Sequence, residues 1–255
     1  MSPFTGPVVD LPAWHVDVEG CTNFRDAGGW ATADGGRMRT GALYRSDDPI
    51  RLTATGRAAV AALGLRLVVD LRQKAQFDRS PGFIRADRTV HVQLVDRVID
   101  PHNPPTLHEP SDITDLYEGM LDRSLPQVAR ALDLVAAHIG EGPVLVHCAY
   151  GKDRAGLVTA LVQAAIGLPA ETIAEDYSRS DGPTQRRREW LLGEPLPGDP
   201  PTALAPPFLF TAPAQAMTGL LERMTRRYGS LDGWVAHLPI ADDTVARLRD
   251  GLVER

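Results

Sequence analysis

The sequence predicts an α/β fold: a central, mainly parallel sheet flanked by helices, with additional helices towards the C-terminus. Two strand-like segments and the order of elements predict it. Leu67-Val68-Val69-Asp70-Leu71-Arg72 reads as a strand apolar on both faces, as one buried between helical layers must be. Pro143-Val144-Leu145-Val146 reads as a second short strand, and the almost wholly apolar run 156–166 behind it as a buried helix. Strand patterns alternate with helix patterns, which favours parallel strands joined by crossover helices.

Taken in order, a proline-rich start gives way to Asn23-Phe24-Arg25-Asp26-Ala27-Gly28-Gly29, and Asp34-Gly35-Gly36 marks the turn of a short hairpin. Residues 42–46 form a strand ending in a polar loop. Thr53 caps a helix that stops at Gly64. After the strand 67–72 comes another at 90–95. Residues 97–110 carry four prolines and form a loop. Two helices follow, 113–121 and 126–139, the second with Pro126 in its first turn. Pro169 starts a helix through Tyr177 and Ser178, residues 193–207 are a proline-rich loop suited to a cover, and three helices close the chain at about 211–227, 230–237 and 241–253. No internal repeat interrupts this order. One domain spanning 1–255, with its core at about 20–252, accommodates all of it.

Composition narrows the function classes. Apolar residues make up 43% and charged residues 24%, ordinary for a globular protein. The net charge of −6 argues against nucleic acid as the main partner, which favours a basic patch. Two cysteines cannot build a disulfide framework. No basic-then-apolar leader opens the sequence, and no run reaches the ~18–20 apolar residues of a membrane helix. The expected location is the cytoplasm, although export by a signal-independent route would leave no mark here.

The chemistry concentrates in His147-Cys148-Ala149-Tyr150-Gly151-Lys152-Asp153-Arg154-Ala155-Gly156. A strand, a tight turn and a helix N-terminus bring several backbone N–H groups to one point, and such a point favours an anion. The same field favours an ionised Cys148. Arg154 offers a planar two-pronged donor for two phosphate oxygens. Residues Ala149, Tyr150, Gly151, Lys152, Asp153 and Arg154 are thus the candidate phosphate-binding set, and Cys148 is the candidate nucleophile. No His/Asp/Glu cluster shows metal-ligand spacing, so neither metal nor cofactor is expected.

This loop resembles the His-Cys-x5-Arg signature of the cysteine-dependent tyrosine phosphatases, and its Gly-Lys-Asp-Arg form resembles the bacterial tyrosine/dual-specificity branch. The resemblance extends to Asn23-Phe24-Arg25-Asp26, Leu43-Tyr44-Arg45-Ser46, Val69-Asp70-Leu71-Arg72, Asp176-Tyr177 with Arg179-Ser180, and Tyr228-Gly229-Ser230-Leu231. It implies the cysteine-phosphatase fold and hydrolysis of phosphomonoesters through a phosphocysteine. The implied substrates are phosphotyrosine proteins, with phosphoserine, phosphothreonine or phosphoinositides as the broader alternative. It also implies an aspartate that protonates the leaving group. Asp96, where the strand 90–95 meets the proline-rich loop, is preferred; Asp153 is second and Asp100 third. Ala155 departs from the many relatives that carry Ser or Thr there, whose hydroxyl helps the thiolate leave.

Other residues carry paired readings. Lys152 meets a second phosphate or only shapes the loop, and Asp153 pairs with a cation or does the same. His147 is expected to hydrogen-bond the turn. The sets Arg25-Asp26, Arg45-Asp47 and Asp70-Arg72 are expected to buttress the loop from behind. Cys21 is read as a plain half-buried cysteine before a disulfide partner of Cys148, and Arg186-Arg187-Arg188 as a solvated helix face before a contact for an acidic substrate. Two competing functions are a retired phosphatase that only binds phosphorylated partners, and a sulfurtransferase or arsenate reductase. Neither the sulfurtransferase nor the reductase has a use for the Lys-Asp pair before Arg154, and the reductase would need partner cysteines.

Overall fold

The computed structural model describes residues 14–80, 84–95, 106–196 and 205–255. A five-stranded sheet lies at the centre in the order β1-β3-β6-β4-β5, from Arg25–Asp26 (β1), Leu43–Ser46 (β3), Leu67–Asp70 (β4), Arg88–His91 (β5) and Val144–His147 (β6). Strands β3, β6, β4 and β5 run parallel, and β1 is antiparallel at the edge. Every residue of β3, β4 and β6 is buried; β4 and β6 are apolar on both faces up to their last residue, whereas β3 buries Arg45 and Ser46 as well. Ser46, His147 and Asp70 face one another in register, so the three strands end in one row at the carboxyl edge of the sheet.

Helices cover the sheet: α1 (Ala54–Ala62), α2 (Lys74–Arg79), α3 (Pro110–His138), α4 (Arg154–Ala165), α5 (Ala170–Ser178), α6 (Asp181–Gly193), α7 (Ala214–Tyr228), α8 (Leu231–Ala236) and α9 (Thr244–Leu252). All twelve residues of α4 are buried, so it is the central helix of its layer. Thr53 caps α1 by accepting from the Gly56 N–H. A small second sheet pairs β2 (Arg37–Met38) with β7 (Val253–Glu254), which fastens the segment after α9 beside the turn at 34–36. None of the described helices is long and apolar enough to cross a membrane.

Several boundaries differ from expectation. The strand expected at 90–95 is Arg88–His91, because its partner β4 ends at Asp70, opposite His91. Val92 and Leu94 leave the ladder yet stay buried, so the apolar run reports core rather than strand. Strand β4 likewise ends two residues before Arg72. The two helices expected around Pro126 are continuous in α3 and meet at a kink, where Ser124 has φ −128°. Pro126 sits just beyond it, where its missing N–H costs no hydrogen bond. The turn at 34–36 closes the short hairpin expected there: Ala31 bridges Arg37, the Thr32 N–H donates to the Gly36 carbonyl at 2.9 Å and the Met38 N–H to that of Trp30 at 2.7 Å, while the far strand pairs on its other side with Val253–Glu254. The solvated face expected at 186–188 holds only for Arg186. Arg187 is 2% exposed and ion-paired, because its helix turns that side towards Asp47.

Candidate active site

Cys148 follows β6 directly and Arg154 opens α4, so residues 148–154 wrap round the N-terminus of a twelve-residue helix. Both side chains are buried, at 1% and 3% exposure. The loop is held from outside by its carbonyls. The Asp48 N–H donates to the Ala149 carbonyl at 3.1 Å, and the Asn23 side-chain amide to that of Tyr150 at 2.9 Å. Arg45 donates to the carbonyls of Gly151 and Lys152 at 2.8 and 3.3 Å. A peptide whose C=O is pulled outward points its N–H the other way. Four consecutive peptides therefore turn their N–H groups to the inside of the loop, where α4 adds its positive end.

Gly151 makes the turn possible. Its φ is +68°, and a Cβ there would lie 2.7 Å from the carbonyl atoms of Ser46. Gly156 leaves room for the same frame: a Cβ there would come to 3.0 Å from the Arg45 guanidinium that holds the loop, which would have to shift by a few tenths of an ångström.

Arg154 donates through Nη1 to the Leu71 carbonyl at 3.0 Å, which anchors it on the end of β4. Its Nε is buried and has no partner among the described residues. An unpaired buried donor is expensive unless something fills it, and an oxyanion in the loop would.

Two charged clusters support this frame. Asp176 of α5 accepts from Arg45 at 2.9 Å and pairs with Arg25 at 3.5 Å, all three fully buried. Burial works against the Asp176 carboxylate, but Arg25, Arg45 and Arg179 outweigh it and hold its pKa below the usual range. Burial and the like charge of Arg45 lower Arg25 to about 9, a measure of how costly the crowding is. On the other side Arg72 joins Asp70 at 2.6 Å to Asp48 at 2.8 Å. Burial pushes the Asp70 carboxyl up, yet His147 and Arg72 overcome it and hold it far below the usual range.

The expected buttresses therefore exist with exchanged partners. Only Asp70-Arg72 pairs as its spacing suggests. Arg25 and Arg45 both turn to Asp176, Asp26 accepts from the N–H groups of Gly28 and Gly41, and Asp47 takes Thr22, Asn23 and Arg187. His147 pairs with Asp70 at 3.3 Å instead of hydrogen-bonding the turn, since the register sets them opposite each other. Lys152 is fully buried, and its ammonium donates to the carbonyls of Leu209 and Thr211. Asp153 accepts from Tyr117 Oη at 2.8 Å and lies 3.1 Å from the Lys152 ammonium. With that Tyr117 proton committed, Tyr177 donates to Tyr117 across 2.8 Å. Cys21 is a free, half-buried cysteine, as expected, and burial pushes its thiol pKa well up. Asp96 and Asp100 lie outside the described residues.

Sequence reasoning overlooked Asn23, Asp48, Tyr117, Tyr177, Asp176 and Arg187 as members of this assembly. Asn23, Asp176 and Tyr177 stood in recognised motifs without a role; Tyr117 and Arg187 carried no local signal.

A strand-anchored cysteine, an inward-turned N–H cradle and a buried arginine at a helix N-terminus form the arrangement that a cysteine-dependent phosphoryl-transfer site requires. The tyrosine phosphatase family model matches residues 16–254. The chain is 32% identical to the triple specificity protein phosphatase PtpB of Mycobacterium tuberculosis, over 93% of this chain and 98% of that protein. It is 27% identical to a tyrosine-protein phosphatase of Nostoc commune, over 82% of this chain and 73% of that one. A structural comparison finds TpbA of P. aeruginosa at 20% identity and TM-score 0.31, covering 59% of this chain and 78% of that chain. The chain belongs to the tyrosine phosphatase family: it is a hydrolase of protein tyrosine phosphatase type, and its substrates are phosphorylated.

Proposed function

We propose that Cys148 is the nucleophile, that Arg154 and the backbone of residues 149–154 bind the phosphoryl group, and that Asp96 is the proton donor. The observation that supports this reading is the buried Nε of Arg154, without a partner among the described residues, beside a loop whose carbonyls at residues 149–152 are held outward. The Cys148 thiolate attacks phosphorus while the P–O bond to the leaving group breaks, and that oxygen takes the proton of the acid. Water then attacks the phosphocysteine, the P–S bond breaks, and the ionised acid accepts the proton of that water. Inorganic phosphate leaves and the thiolate is regenerated. Charge on the transferred group is met by N–H donors and a guanidinium, a metal-free arrangement. EDTA should leave turnover unchanged, and an activity restored by a divalent ion would contradict the mechanism.

Asp153 remains the second candidate acid, with one carboxylate oxygen already engaged by Tyr117 and Lys152. Replacing the true acid by Asn slows a poor-leaving-group ester by ~10²–10⁴-fold and removes the alkaline limb of the pH–rate profile. Asp96→Asn is expected to do both, and an unchanged limb in that variant with its loss in Asp153→Asn would reverse the assignment.

Phosphotyrosine protein is the proposed principal substrate, in a reducing compartment such as the cytoplasm, where a thiolate survives. Breadth towards phosphoserine, phosphothreonine and phosphoinositides is the second reading, favoured by the triple specificity in the name of the mycobacterial relative. Rates on phosphotyrosine, phosphoserine and phosphothreonine peptides beside monophosphorylated phosphoinositides decide between them. Failure to turn over para-nitrophenyl phosphate would leave a phospho-ligand binding module instead.

A further inference from the structure

Lys152 sits inside the phosphate loop, where a lysine invites the reading of a second-phosphate contact. Its surroundings point elsewhere. The side chain is wholly buried. The ammonium donates to two main-chain carbonyls, Leu209 and Thr211, the latter at 3.0 Å, and lies 3.1 Å from Asp153 Oδ1. Those contacts provide an acceptor for each of the three N–H bonds of a lysine. Both carbonyls belong to the short 3-10 turn Pro207–Phe210 and the residue after it.

The same segment is fastened at two other points. The Ala212 N–H donates to Asp181 at 2.6 Å, at the start of α6. The Phe210 ring lies 5.4 Å from the ring of Tyr150, the loop residue two before Lys152. Lys152 is thus the polar link between the phosphate loop and the segment 207–212, and it reaches the loop again through Asp153, which Tyr117 holds from the other side.

We propose that Lys152 is a positioning residue: it ties residues 207–212 to the phosphate loop and keeps Asp153 and Tyr150 in place. It contributes to cleavage of every phosphomonoester equally and supplies no cation to a second phosphate. This rests on the phosphatase reading above for the rate it affects, but not for the placement of the ammonium.

The sequence contains only two lysines, Lys152 and Lys74, and the Lys74 side chain is 72% exposed. Brief acetylation of the wild-type chain with an N-hydroxysuccinimide ester, read by peptide mass spectrometry, therefore compares a buried lysine with an internal standard. Lys152 should react on the order of 100-fold more slowly than Lys74, because reaction must await local opening. The ratio should be the same with and without orthovanadate. Labelling of Lys152 at a rate near that of Lys74 overturns the proposal. So does fast labelling that vanadate blocks, which would place the ammonium in the substrate site.

Kinetics of Lys152→Met give the second readout. The variant should lose about 10–100-fold in kcat on a phosphotyrosine peptide and on a short-chain phosphatidylinositol bisphosphate alike, with the ratio of the two kcat/KM values unchanged. A normal rate on the peptide with a raised KM for the bisphosphate alone would refute it. If the variant does not fold, the wild-type labelling decides. A wild-type chain without turnover would refute the phosphatase reading and still report where Lys152 lies.

Discussion

Arg45 and Asp176 meet at 2.9 Å through Nη1 and Oδ2, each about 1% exposed and 131 residues apart in sequence. The same guanidinium holds the carbonyls of Gly151 and Lys152, so a carboxylate on α5 sets the shape of a loop that follows β6. Asp176→Ala leaves Arg25 and Arg45 buried together without a counter-charge. Urea unfolding should show a loss of about 3–5 kcal/mol, and Asp176→Asn a smaller one. A loss below about 1 kcal/mol for the alanine variant would show that the two arginines find other partners.

Acid sensitivity follows from Asp70. Its carboxyl is held far below the usual range in the folded chain, with His147 and Arg72 overcoming burial. A group depressed in this way stabilises above its unfolded value of about 3.9 and loses that contribution as the pH falls through the folded one. Stability should therefore decline below about pH 5, with Asp70 accounting for up to one proton of the slope. Asp70→Asn should flatten the decline, as measured by urea midpoints across the acid range. An unchanged slope would remove Asp70 from the account.

Gly151→Ala tests the cradle by geometry alone. The variant carries a Cβ at φ +68°, against the backbone of Ser46. The chain should remain folded with a loss of about 1–3 kcal/mol, while turnover falls ~10²-fold and vanadate affinity drops with it. Full activity would mean that the N–H groups need not converge.

Ala155 is fully buried directly after Arg154 and offers no hydroxyl to the thiolate leaving in the second step. Without that hydroxyl the second step should limit turnover of a good leaving group. Rapid mixing with para-nitrophenyl phosphate should then give a burst of product equal to the enzyme present. Ala155→Ser should raise the steady-state rate about 10-fold and shrink the burst, as one hydrogen bond to a charged group would. A linear time course in the wild type would contradict this.

The sequence made the loop legible because its parts are adjacent: strand, cysteine, turn, arginine and helix occupy residues 143–166. The parallel strands were legible where both faces are apolar, as in β4 and β6. Residues 92–94 misled because burial after the end of a strand produces the same pattern as the strand. The supporting charges were legible as residues but not as pairs. Arg25 lies next to Asp26 and Arg45 near Asp47, yet both arginines pair with Asp176 because the sheet order and α5 bring it behind β1 and β3. Arg187 looked like one of three exposed arginines until the turn of α6 placed it on Asp47. Lys152 shows the same limit, since its partners are carbonyls about 60 residues away, which no motif encodes.

In the proposed mechanism, phosphoryl groups pass through a covalent bond to Cys148. Acid quenching within the first turnover of a phosphotyrosine peptide, followed by peptide mass spectrometry, tests it most directly. A phosphoryl adduct on Cys148 should rise before steady state, persist longer in the wild type than in Ala155→Ser, and be absent from Cys148→Ser, which should keep its fold and its affinity for oxyanions but not turn over. Turnover by Cys148→Ser above a few per cent of wild type, or an adduct on any other residue, would contradict it.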